Sequence, residues 1–93
     1  MNIDKIDLFN EKSEVLKALA HPIRLCIVQG LIEEEGRNVT TMQNCLNAPQ
    51  STVSQHLSKL KAAGIIEGRR KGTEINYYVV NEDAKKIISS ILD

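Results

Sequence analysis

The residues best placed to do chemistry in this 93-residue chain lie between positions 37 and 81. The segment Gln50-Ser51-Thr52-Val53-Ser54-Gln55-His56-Leu57-Ser58-Lys59 carries hydroxyls, amides and one cation, and there is no acid from Gln50 to Ala63. Drawn on a helix, Val53, Leu57, Leu60 and Gly64 fall on one side. Ser51, Gln55, Ser58 and Lys59 fall on the other, with Thr52 and Ser54 at the flanks. Short hydroxyl side chains approach base edges and phosphates closely, and Gln suits bidentate pairing with adenine. A solvated helix face would ordinarily mix Glu with Lys. Shortly downstream, Arg69, Arg70 and Lys71 stand beside Gly72. A flexible cationic tip of this kind can follow a phosphate backbone or enter a minor groove, whereas alone it would read as a solubilising loop.

The elements that must position these residues follow from periodicity. A first helix, about residues 4–20, carries Ile6, Phe9, Val15, Leu16 and Leu19. His21-Pro22 interrupts it, and Pro22 suits the first turn of a second helix running to Glu34. Leu25, Val28, Leu31 and Ile32 mark that helix's expected buried stripe, with Gly36 as its terminator. Thr40 with Gln43 has the capping-box pattern for a short third helix, with Met42 and Leu46 on its buried side. Asn47-Ala48-Pro49 breaks the chain before a fourth helix from Gln50 to about Gly64. The period then shortens: residues 65–70 and 74–80 read as strands joined through Lys71-Gly72-Thr73. A last helix, residues 82–92 with Asn81 as its cap, carries Ala84, Ile87, Ile88, Ile91 and Leu92. The expected fold is therefore one domain over 1–93, mainly α with a small β-hairpin, in the order ααααββα: a winged helix-turn-helix.

Twelve basic and twelve acidic side chains cancel, which by itself argues against a nucleic-acid partner. Position reverses that inference. Residues 1–36 carry four basic and seven acidic groups, residues 37–81 six and two, and residues 82–93 two and three. The middle of the chain is cationic and both ends are acidic, an arrangement that orients a domain on double-stranded DNA. With no cationic excess overall, non-specific binding should be weak at physiological salt. No apolar run reaches the ~18 residues of a membrane span, and the N-terminus lacks the pattern of a secretory signal, so a cytoplasmic protein without membrane contact is expected. There is no nucleophile–base pair at motif spacing and no phosphate-cradling Gly loop, so enzymatic activity is not expected. The competing reading is a winged-helix module that binds protein rather than DNA. Salt discriminates the two, because phosphate-driven binding falls steeply with it.

Three strings, in order, resemble the ArsR/SmtB family of bacterial transcriptional regulators. Lys17-Ala18-Leu19-Ala20-His21-Pro22-Ile23-Arg24-Leu25 is similar to the start of its second helix. Gln50 to Leu57 is similar to its recognition helix, and Ala63-Gly64-Ile65-Ile66, Arg69-Arg70-Lys71-Gly72 and Tyr77-Tyr78 to its wing. The resemblance implies a homodimer that represses by occupying a palindromic operator. It points to Thr40, Gln50, Ser51, Thr52, Ser54, Gln55, His56, Lys59, Arg69, Arg70 and Lys71 on DNA. It also places the dimer interface on the first and last helices, here Ile6, Phe9, Leu16, Ile87, Ile88, Ile91 and Leu92. A small core cannot easily bury both terminal stripes, which agrees.

Metal-binding members of the family place Cys-x-Cys at the third helix, where this chain has Asn38 and Thr40. Others place Asp, His and Glu on the last helix, where Glu82, Asp83 and Asp93 stand without a His. No metal and no cofactor are therefore expected. Cys26 and Cys45 remain, with no Cys-x-x-Cys spacing. The plainer reading is two buried structural cysteines, Cys45 facing the helix-turn-helix core. The sharper one is a thiol switch that reshapes the unit on oxidation, for which the family's dithiol sensors, with cysteines elsewhere, give no support.

Overall fold

His21-Pro22 sets the first corner of the domain. In the computed structural model, which describes residues 5–92, α1 spans Ile6–Leu19 and α2 spans Pro22–Glu33. Residue 4, expected to open the first helix, and Asp93 lie outside the described residues. His21 is extended and its Nδ1 accepts from the Ile23 N–H at 3.1 Å, capping α2 directly ahead of Pro22.

α2 buries Ile27, Val28 and Leu31. Leu25 and Ile32, expected on the stripe, are only half-buried. The helix is apolar on most sides, so spacing alone gives no sharp inward face, and tertiary packing selects Ile27. Gly36 lies beyond the end of α2 at φ +82°, and its N–H donates to the Tyr77 carbonyl at 2.9 Å. A Cβ here would stand 3.0 Å from the Tyr78 hydroxyl, so both backbone and space favour glycine.

α3, Val39–Leu46, is capped by Asn38 and not by the expected Thr40: Asn38 Oδ1 accepts from the Thr41 N–H at 2.9 Å. Asn47, left-handed at φ 52°, turns the chain into α4, Gln50–Ala62. α4 ends just short of the expected Gly64, which takes φ +72°. β1, Ile66–Lys71, pairs antiparallel with β2, Glu74–Val79. The hairpin turn is the two residues Gly72-Thr73; Lys71, expected in the turn, is the last residue of β1 and pairs with Glu74. Backbone pairing of Arg37 with Tyr77 ties the α2–α3 connection to β2 as a short third rung. α5, Glu82–Leu92, starts on Asn81, whose Oδ1 accepts from the Ala84 N–H at 2.9 Å. Val28, Leu31, Val53, Leu60, Ile65 and Ile88 are the largest fully buried side chains, drawn from α2, α4, the start of the wing and α5.

Lys12 on α1 and Asp83 on α5 form a close ion pair that joins the terminal helices. The hydrogen bond from Lys12 holds the Asp83 carboxyl below the usual carboxylate range, and the same bond raises Lys12. No single helix among the described residues is long and apolar enough to cross a membrane.

Candidate nucleic-acid interface

Val53, Leu57 and Leu60 anchor α4 inward, and this fixes what its outer side presents. Ser51, Gln55, Ser58 and Lys59 are exposed, with Thr52 and Ser54 half-buried at the flanks, in agreement with the helical-wheel assignment, and Gln50 is exposed at the start of the helix. Lys61 is exposed on the last turn as well. Thr40 lies exposed in the first turn of α3. It shares a shallow cleft with Asn38, Thr73 and Glu74, so the start of α3 adjoins the wing tip. Asn38 Nδ2 donates to Glu74 Oε1 at 3.3 Å across that junction. Asn38 and Glu74 carry no spacing signal, because they meet only once the hairpin has folded back.

His56 does not share the outer face with the rest of the expected DNA-binding set. Its ring is half-buried against the α1–α2 corner, with its centroid 4.3 Å from that of His21. Its Nδ1 lies 3.2 Å from Arg24 Nη1. Arginine can only donate, so Nδ1 must accept and the ring is neutral in this arrangement. Arg24 is itself held by a 2.6 Å bond from Nε to the Ala18 carbonyl. His56 therefore sets the position of α4 against α2. Burial first, and then the charges of His21, Arg24 and Lys59, push its pKa below the ordinary 6.5.

This depression fixes a sign. The unfolded chain binds the proton more readily than the folded one, so His56 contributes its full stability above about pH 6.5 and loses it as pH falls through and below that value. Stability measured by urea unfolding is expected to decline from pH 7 to pH 5, with a shallower decline in His56→Gln. Equal slopes in the two proteins would show that the ring does not titrate between the folded and unfolded states as argued.

The wing's three cations are not equivalent. Arg69 Nε donates to Glu67 at 2.7 Å and its guanidinium lies 4.0 Å over the Tyr78 ring. The bond to Glu67 raises its pKa further. Arg69 is thus committed within the hairpin, while Arg70 and Lys71 are exposed and make no ion pair among the described residues. Gly68, opposite Tyr77 in the register, is required by space: a Cβ would come within 2.7 Å of Ile75 Cγ2.

The residues expected at the dimer interface also divide. Ile6, Phe9, Leu16, Ile91 and Leu92 are exposed, and Leu8, not singled out from the sequence, joins them. Ile87 is half-buried. Ile88, at 2% exposure, belongs to the core of the single chain, so its expected place in an interface is corrected. Cys26 and Cys45, read as buried, are both exposed. They fail to bury because Ile27 and Val28 take the inward positions of α2, and Met42 and Leu46 pack inward from α3.

Helix, turn and helix with an acid-free outer face, followed by a basic hairpin, define a winged helix-turn-helix domain. Comparison with known proteins agrees: a helix-turn-helix domain family matches residues 19–69. The chain belongs to the ArsR/SmtB family of winged helix-turn-helix transcriptional regulators, a class of regulators and not of enzymes. The transcriptional repressor PagR of Bacillus anthracis is 42% identical over 78 residues, covering 84% of this chain and 78% of PagR. The PagR crystal structure superposes with a TM-score of 0.83 at 40% identity, over 89% of this chain and 94% of that one. The repressor SmtB of Mycobacterium tuberculosis is 39% identical over 82 residues, 88% of this chain and 60% of SmtB. A homodimeric winged helix-turn-helix DNA-binding domain from Mycobacterium bovis, a possible ArsR-family regulator, matches with a TM-score of 0.84 at 31% identity, over 98% and 83% of the two chains.

Proposed function

We propose that this protein is a metal-independent repressor that occupies a palindromic DNA operator as a homodimer. The observation that carries the reading is the exposed, acid-free face of α4 flanked by the uncommitted Arg70 and Lys71. Gln50, Ser51, Thr52, Ser54 and Gln55 enter a major groove. Lys59, Thr40, Arg70 and Lys71 lie on phosphate, with Arg69 holding the wing's shape and His56 holding α4. The exposed apolar residues of α1 and α5 support the dimer, and two-fold symmetry in the protein asks for a palindrome in the DNA. Metal independence rests on what the corresponding side chains already do: Asn38 caps α3, Asp83 pairs with Lys12 and Glu82 pairs with Lys85. A cytoplasmic location follows from the partner.

The test is selection of bound genomic fragments by the purified protein, then titration of variants on the selected DNA. Arg70→Ala is expected to weaken binding to all sequences alike and to reduce the salt slope by about 1. Gln55→Ala is expected to cost about 1–3 kcal/mol on the selected site and little on random DNA. Affinity should be the same in zinc and in EDTA. Wild-type binding by both variants would remove α4 and the wing as the reading surface. A salt-insensitive affinity would favour a protein partner.

A further inference from the structure

Cys26 on α2 and Cys45 on α3 open onto one cleft of about 150 Å³, lined also by Gly30, Glu33, Arg37 and Met42. Both thiols are solvent-exposed. Arg37 reaches into this cleft from the α2–α3 connection. Its Nη1 lies 3.9 Å from Cys45 Sγ and its Nη2 3.0 Å from a Glu34 carboxylate oxygen. Its Nε–H is buried without an acceptor among the described residues, an unusual state for a charged group and one that a new acceptor would relieve. Gly30 leaves the room: a Cβ there would come within 3.2 Å of Arg37 Nη1. The same Arg37 is bonded by its backbone to the wing, its carbonyl accepting from the Tyr77 N–H at 3.0 Å.

We infer that this cleft is a hydroperoxide-reactive dithiol site, with Cys45 the residue attacked first, Cys26 the resolving thiol and Arg37 the group that positions the reaction and relays its outcome to the wing. The Cys45 thiolate attacks the distal oxygen of the hydroperoxide. An S–O bond forms, the O–O bond breaks, and the departing alkoxide or hydroxide takes a proton to leave as alcohol or water. Sulfur is oxidised by two electrons and the peroxide reduced by two, giving a sulfenic acid. The guanidinium beside Cys45 Sγ donates to the developing charge on oxygen. Cys26, having lost its proton, then attacks the sulfenic sulfur. The S–S bond forms, the S–O bond breaks, and hydroxide leaves with that proton as water.

The product is a covalent tie between α2 and α3 at the spot where Arg37 sits. Arg37 must yield space to it, and its backbone rung to β2 is the link through which the wing responds. The lowered DNA affinity that follows rests on the proposed function; the thiol chemistry does not.

The experiment exposes the reduced protein to hydrogen peroxide and maps the products by peptide mass spectrometry, with dimedone to trap sulfenic acid. Wild type should yield a Cys26–Cys45 disulfide within one chain. Cys26→Ser should yield dimedone-labelled Cys45, and Cys45→Ser should leave Cys26 unlabelled over the same time. Arg37→Gln, shown folded by its circular dichroism, should slow the labelling of Cys45 roughly tenfold, the loss of one charge-assisted hydrogen bond. Equal labelling of both cysteines, a disulfide only between chains, or an unchanged rate in Arg37→Gln would overturn the assignment. In a second arm, the selected DNA should bind oxidised wild type at least tenfold more weakly and recover with dithiothreitol. Formation of the mapped disulfide with unchanged affinity would overturn the relay through Arg37, and absence of any selected DNA would count against the proposed function alone.

Discussion

A chain carrying Phe9→Glu and Leu16→Glu is expected to remain folded, to sediment as a monomer, and to bind its selected DNA at least roughly a hundredfold more weakly than wild type. In the single chain these side chains are 45% and 53% exposed, so replacing them removes little packing from the core. On a helix of 3.6 residues per turn, Ile6, Phe9 and Leu16 fall within about 80° of one another and make one apolar strip. On α5, Ile91 stands 61% exposed, with Leu92 next to it. Between the two helices lies an apolar groove of about 220 Å³ lined by Val15, Leu16 and Ile87 and closed at its rim by Lys12 and Asp83. A monomer of this size that leaves so many large apolar groups in water has a surface built for association. Four carboxylates across a two-fold interface would have to give up water against an apolar face, with the neighbouring Lys12 already paired to Asp83, and this splits the dimer.

The expected effect on DNA is large because two recognition helices act together in the proposed dimer. Once one half-site is engaged, the second is an intramolecular event at high effective concentration, a gain of about 10²–10⁴ in affinity. A monomer keeps α4 and the wing intact and loses only this gain. Analytical ultracentrifugation and anisotropy titration check both halves. A double variant that stays dimeric would place the interface elsewhere. One that is monomeric with undiminished affinity would remove the two-fold reading of the operator.

The single-residue elements that set this geometry were unequally legible in the sequence. The corner at His21-Pro22, the break at Asn47-Ala48-Pro49 and the cap at Asn81 are local chemistry. Each acts within three residues of itself, and the structure has each where spacing put it. The outer face of α4 was legible for the same reason, since Val53, Leu57 and Leu60 fix the rotation of the whole helix. What escaped were side chains whose partners arrive from elsewhere in the chain. His56 is polar and flanked by polar residues, and only the arrival of Arg24, thirty-two positions away, turns it inward. Arg69 is indistinguishable in sequence from Arg70, yet pleating puts it on one face with Glu67 and Tyr78, while Arg70 makes no ion pair among the described residues. The α2 stripe was misjudged at Leu25 because an all-round apolar helix carries no periodic signal to choose a face. The cysteines were misjudged because flanking hydrophobes, not the thiols, took the inward positions.

Ile88 and Ile91 separate core from interface on a single helix. They are three residues apart and chemically identical, and from sequence both belonged to one apolar stripe. In the structure Ile88 is 2% exposed and Ile91 61%. Ile88→Ala is therefore expected to destabilise the fold by about 2–5 kcal/mol, through lost burial and the cavity left among its core neighbours. That is a large fraction of the 5–15 kcal/mol that holds a typical domain together. Ile91→Ala removes a side chain the single chain hardly buries, so its cost should fall on association. The two are told apart by urea unfolding at several protein concentrations in a background of Phe9→Glu and Leu16→Glu, where association is removed. There Ile88→Ala should keep its full cost and Ile91→Ala should cost less than about 0.5 kcal/mol, as for other exposed positions. In the otherwise wild-type chain, Ile91→Ala should raise the concentration at which the dimer forms. An Ile88→Ala variant as stable as its monomeric parent would put that side chain in the interface after all, and with it the boundary drawn here between what the chain buries alone and what it leaves for its partner.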